Sequence, residues 1–121
     1  MGKRRWRDYR TAAGRRPVKE FLDALNDEDV AVVTTAMKQV KNKGLRAARH
    51  LGNAIYEVRA DGNQVTYRLL FAPQGRRNQV LLALVPFKKK TQKTPPQRIR
   101  VAEARLRDWK KRGKRSILSL L

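Results

Sequence analysis

The sequence predicts a small α+β domain: an N-terminal strand and a two-helix hairpin packed on an antiparallel sheet, with a C-terminal helix. Three observations carry this prediction. Apolar residues recur at helical spacing in the stretches after Pro17 and after Thr94. Strand-like runs fill the region between them, and Gly, Pro and Asn punctuate the joins. A length of 121 residues supports one modest core, so residues 1–121 are expected to be one domain, with 113–121 a short C-terminal tail.

KRRWRDYRTA, residues 3–12, sets Trp6 and Tyr9 among arginines and is expected to form the first strand, because aromatics suit a half-buried pleated surface. AAGRRP is a break, and Pro17 suits the first turn of a helix. Val18, Phe21, Leu22 and Leu25 share one face of that helix. Asn26 stops it and caps the next, in which Val30, Val33, Met37 and Val40 recur every three or four residues. Asp27, Glu28 and Asp29 in its first turn and Lys41 and Lys43 in its last suit the helix dipole, and Gly44 ends it. AIYEVRA and QVTYRLLFA read as two strands around an Asp-Gly turn. PQGRRN turns the chain again into QVLLALVPF, whose near-continuous apolar run predicts a strand buried on both faces. After FKKKTQK, Thr94 is the expected N-cap, Pro95 a first-turn proline and Gln97 the capping-box partner. Ile99, Ala102, Leu106 and Trp109 mark the helix face, and Gly113 is its expected end. The order β-α-α-β-β-β-α predicts helices on one face of a twisted sheet.

Charge is the strongest compositional signal. The chain holds 30 Lys and Arg against 10 Asp and Glu, a net +20 that calls for an anionic partner: nucleic acid, an acidic protein or an anionic membrane surface. No apolar stretch approaches the length of a membrane span, and MGKRRWRDYR has no apolar core after its charges, so no membrane partner and no signal peptide are expected. The absence of cysteine excludes disulfides and thiolate metal sites, and a lone His50 with scattered carboxylates predicts no metal and no cofactor. A cytoplasmic location is the expectation.

The candidate site is cationic. Arg59 ends the first strand of the meander, Arg68 lies inside the second, and Lys88, Lys89 and Lys90 end the third, with Gln92 and Lys93 beyond. Neighbouring strands are expected to bring these groups to one surface. An arginine inside an apolar strand is costly to bury without an anion, and its planar fork suits a phosphate. Tyr56 and Tyr67 are candidates for stacking on bases. Each feature has a plainer reading. Arg68 can pair with Glu57 or Asp61 across the hairpin, the lysines can be a solvated strand end, and the tyrosines can be packing residues. His50 reads as a loop residue bonded to backbone, and Trp6 and Trp109 as core.

The strings PVKEFLDAL, ARHLGNAIYEVRADG, YRLLFAPQG and FKKKTQKTPPQRIRVAEARLRDW, in this order, resemble the RelE/ParE superfamily of type II toxin–antitoxin toxins. They are most similar to its phage-derived HigB-like branch. The resemblance implies a RelE-like fold and an endoribonuclease (mRNA interferase) that cuts messenger RNA, commonly in the ribosomal decoding site. It also implies a cognate antitoxin, usually with a helix-turn-helix domain. The family's strand arginine maps onto Arg68, the basic position ending the preceding strand onto Arg59, and the late lysine-rich segment onto Lys89, Lys90 and Lys93. The sequence departs from some relatives in lacking a late histidine or glutamate for proton transfer. Two rival functions share the features above: a ParE-like inhibitor of gyrase, and a basic nucleic-acid-binding module without catalysis.

Overall fold

A computed structural model of the protein describes residues 3–89 and 93–120, of which 115–120 are described as helical backbone only. The elements are β1 (Arg5–Asp8), α1 (Pro17–Asp23), α2 (Asp27–Lys43), a 3-10 turn (Leu45–Ala47), β2 (Arg49–Gly52), β3 (Ile55–Asp61), β4 (Thr66–Gln74), β5 (Val80–Lys88) and α3 (Pro96–Leu120). The five strands form one sheet in the order β1-β5-β4-β3-β2. β1 lies parallel to β5, and the remaining pairs are antiparallel. This is the RelE-like arrangement.

The helical hairpin forms as its sequence dictates. The Asn26 side chain accepts the Asp29 N–H at 2.8 Å, which satisfies a donor that the first turn of α2 leaves open. Gly44 closes α2 with φ +83°, a conformation that disfavours any side chain, and a Cβ there would press on the Arg4 guanidinium. The hairpin covers one face of the sheet, where Val18 and Val40 pack on Val58, Leu69, Phe71 and Leu81. Trp6 edges against Phe71 and donates its ring N–H to the Met37 carbonyl at 2.8 Å.

The helices do not share one face. α3 lies across the opposite side, where Ala102 and Leu106 pack with Ile55, Leu70, Leu82 and Leu84. The reason is visible in β4 and β5, whose consecutive apolar residues present two oily faces that both need covering. The junction of β5 and α3 also differs from expectation. α3 begins at Pro96, not Pro95, and its first turn is closed by the Pro95 carbonyl, which accepts from Arg98 and Ile99 N–H. Thr94 does not cap it, because its hydroxyl is engaged elsewhere. α3 also runs through Gly113 to Leu120 instead of stopping there. The β3–β4 connection is a four-residue loop closed by Gly62 N–H on the Val65 carbonyl at 2.8 Å, in place of a tight Asp-Gly turn. Among the described residues no helix is long and apolar enough to cross a membrane.

Candidate functional site

Side chains alternate along β3 and β4, so Glu57, Arg59 and Arg68 fall on the α3 side of the sheet with Ile55 and Leu70. Arg59 and Arg68 are direct cross-strand partners. Two adjacent cations repel, and each has a carboxylate. Arg59 is half exposed and its Nε donates to Asp61 Oδ1 at 3.1 Å. Arg68 is only 3% exposed and its Nη1 lies 3.5 Å from Glu57 Oε1, itself 4% exposed. Thr94 completes the set: its hydroxyl donates to Glu57 Oε2 and stands 3.5 Å from Arg68 Nη1. A strand, its neighbour and the lead into α3 are thereby tied at one buried point. The cross-hairpin ion pair, one of the two readings of Arg68 that the sequence allows, is the arrangement present.

Beside the start of α3, this face of the sheet opens into a cleft of about 310 Å³. Arg59, Arg68 and Glu57 form one side, and Arg46 and Arg49, from the 3-10 turn and the start of β2, form the other. Both of these latter arginines are exposed. The cleft is therefore lined by four arginines and one glutamate, a setting that favours a bound phosphate.

The other sequence candidates are distributed differently. Lys88 pairs with Tyr67 in the β4–β5 register and so lies on the α1–α2 side, away from the cleft. Lys89 continues the strand, its N–H donating to the Thr66 carbonyl at 3.0 Å, and alternation returns it to the α3 side. Lys93 is exposed and precedes Thr94 directly. Lys90 and Gln92 lie outside the described residues. Tyr67 is buried under the hairpin, and its hydroxyl donates to Asp29 Oδ2 at 2.5 Å, so its ring is not presented to a base in the cleft. That hydrogen bond, with burial and the Asp29 charge, raises the Tyr67 hydroxyl above its ordinary value. Tyr56 also faces the hairpin, stacked on His50 with ring centres 4.6 Å apart. His50 Nε2 meets the Asn53 carbonyl at 2.6 Å, so its ring is bonded to backbone, though from the short strand β2 and not from a loop.

Sequence reasoning missed Arg46, Arg49 and the engagement of Thr94 with Glu57 and Arg68, whereas the pairing of Arg68 with Glu57 was one of its readings. The RAAR spacing just before β3 was the available signal: two arginines three residues apart in a segment leading to a strand that already carries Arg59. Thr94 gave a competing signal as a helix cap.

The family described as phage-derived protein Gp49-like (DUF891) matches residues 20–107, most of the chain and all of the cleft. The chain belongs to this family. Gp49-like proteins are a phage-derived, toxin-like group within the RelE/HigB-like superfamily of toxin–antitoxin toxins. The family assignment agrees with the fold, and its matched span holds Arg46, Arg49, Glu57, Arg59, Arg68 and Thr94 together. No curated protein matches the chain.

Proposed function

We propose that the chain is the toxin of a type II toxin–antitoxin pair and an endoribonuclease that cuts messenger RNA, with the ribosome as the setting that holds the messenger in place. The observation that carries this reading is the cleft, lined by four arginines and Glu57, in a toxin-like family.

RNA brings its own nucleophile. The 2′-OH loses its proton and attacks the adjacent phosphorus. The P–O5′ bond breaks, the departing O5′ takes up a proton, and a 2′,3′-cyclic phosphate remains. The protein must hold the phosphate, balance its growing charge, and accept and donate one proton each. Arg46, Arg49 and Arg59 line the open part of the cleft and suit the holding task. Arg68, fixed by Glu57 and Thr94, supplies a charge that need not reorganise during the reaction. Glu57 is the carboxylate of the cleft and the candidate proton acceptor. Lys93, beside Thr94, and Lys90 are the candidate donors to O5′. Lys89 and Gln92 are candidates for contacts to the RNA backbone. The partner that restrains the toxin is a cognate antitoxin, with a helix-turn-helix domain, acting in the cytoplasm.

The test is expression in growing cells with mapping of new transcript 5′ ends. Arg59→Ala removes a half-exposed side chain and should reduce cutting by about 10²–10³-fold while leaving the melting temperature near that of the parent. Glu57→Gln removes the candidate proton acceptor and should reduce cutting likewise, but it leaves the buried Arg68 charge without its carboxylate and should also lower the melting temperature. Undiminished cutting by both variants overturns the residue assignment. No new 5′ ends from the parent protein, together with inhibition of gyrase in a supercoiling assay, would replace the nuclease by a ParE-like inhibitor.

A further inference from the structure

On the hairpin side of the sheet, α1, α2 and β1 do not close completely on one another. They leave a cavity of about 410 Å³, within the range of ~300–1,000 Å³ usual for pockets that take small molecules. Trp6, Val18, Leu22, Val30 and Met37 supply its apolar wall. Val18 is buried, but the other four are only part-buried, so apolar surface is left open between packed elements.

The ionic groups of the cavity are matched with one another, with one exception. Lys19 Nζ lies 2.6 Å from Asp23 Oδ2. Arg16 Nε donates to Asp8 Oδ2 at 2.8 Å. The Arg7 guanidinium is turned to the α3 side, 5.9 Å from the centre of the Trp109 ring. The exception is Asp8 Oδ1. Alternation along β1 puts Asp8 on the same side as Trp6, and its side chain lines the cavity and is 17% exposed. Yet Oδ1 is buried and accepts no hydrogen bond among the described residues. A buried acceptor left unsatisfied is costly, and such atoms are few in folded proteins.

These features select among ligands. An anion would have to displace Asp8 from Arg16 or Asp23 from Lys19. A cation is opposed by the net charge of +20. A molecule that is polar throughout gains nothing from the apolar wall. A neutral apolar molecule with one donor satisfies both the wall and Oδ1. We infer that this cavity binds a small neutral molecule with an apolar body and a single N–H or O–H donor, which is directed at Asp8. The donor meets Oδ1 through a turn of the carboxylate about Cβ–Cγ, which the Arg16 side chain, 44% exposed, is free to follow. This binding does not rest on RNA cleavage, since the cavity and the arginine cleft share no residue.

The probes are indole and 1-methylindole, two molecules of similar shape that differ in the one donor. Each is titrated to millimolar concentration into the full chain, and the methyl NMR signals of Val18, Val30 and Met37 are followed. Indole should shift them saturably. 1-Methylindole should bind at least tenfold more weakly, because it cannot hydrogen-bond to a charged acceptor. Asp8→Ala should lower the affinity for indole to that for 1-methylindole. Val30→Trp fills the cavity from a part-exposed helix position and should weaken both probes at least tenfold. If either variant fails to fold, the ranking of the two probes on the parent protein and the location of the shifts decide alone. No saturable shift with millimolar indole, shifts centred outside the cavity, equal affinity for the two probes, or a preference for indole that survives in Asp8→Ala overturns the inference.

Discussion

A guanidinium enclosed in an apolar strand needs a counter-charge, and Arg68 finds one in Glu57, with Thr94 in reach of both. Such a pair contributes little net stability, because desolvating both charges offsets their attraction, but breaking it leaves one charge stranded. Arg68→Ala or Glu57→Ala alone should therefore cost about 3–5 kcal/mol in urea unfolding. Glu57→Leu combined with Arg68→Met should cost far less than the two single changes together. Additive costs would show that the two groups are not coupled. Tyr67 makes a second residue-scale prediction. The hydrogen bond to Asp29, then burial, raises its hydroxyl above the ordinary value of 10.0. The folded state thus keeps that proton after the unfolded chain has lost it. The stabilisation is fully present below pH 10 and is lost as pH rises through the folded value. Tyr67→Phe should cost about 1.5–3 kcal/mol at neutral pH, as for a hydrogen bond to a charged acceptor, and the gap to the parent should narrow in melts above pH 10. A gap that is constant with pH would mean the hydroxyl does not donate to Asp29.

At the scale of elements, α3 is fixed at a defect in the sheet. The β4–β5 register shifts between Leu70, opposite Val85, and Phe71, opposite Ala83, so Leu84 is an extra residue on β5. Its carbonyl accepts from Arg105 Nη1 of α3 at 2.7 Å, and burial lowers the pKa of that guanidinium below its ordinary value. Nearby, the Tyr9 hydroxyl donates to Asp108 at 2.6 Å and ties the end of β1 to the same helix. Arg105→Leu keeps apolar contact but leaves the Leu84 carbonyl without this donor, and should cost about 1–3 kcal/mol in denaturant unfolding. Lost protection confined to Val85 and Leu84 amides would mark the bulge as the point of failure, and unchanged stability would show that the carbonyl is satisfied without Arg105. The bulge also shows why some elements were legible in the sequence and others were not. The hairpin was readable because Pro17, Asn26 and Gly44 specify its ends locally. The long strands were readable because nine consecutive residues such as VLLALVPFK in β5 leave few alternatives. β2 is four residues, RHLG, with no alternation of its own, and exists because β3 offers it an edge. Helical periodicity marked the apolar face of α3 but not which side of the sheet it would meet. The same limit applies to the site. Arg59 and Arg68 stood out as charges in strands, whereas Arg46 and Arg49 reach the cleft only through a turn that the chain's local pattern does not announce.

For the whole molecule, two of the surfaces that carry the +20 charge can be separated by physical chemistry. One is the cleft. The other is the solvent side of α3, where Arg100, Arg107, Lys111 and Lys114 are all exposed and recur at helical spacing. Both attract a polyanion at low salt, since screening sets in over about 10 Å at 0.1 M. Only groups that touch phosphates release counterions, and each such contact adds about 0.7 to the slope of log affinity against log salt for a single strand. Binding of a short single-stranded RNA should be measured across a salt series in the Glu57→Gln background, where cleavage is expected to be suppressed. Joint Arg46→Ala and Arg49→Ala should lower the slope by about 1.4, the value for two lost phosphate contacts. Arg107→Gln with Lys111→Gln removes as much charge from α3 and should weaken binding at low salt with little change in slope. The opposite ranking would move the phosphate path from the sheet to the helix and leave the cleft arginines as surface charge.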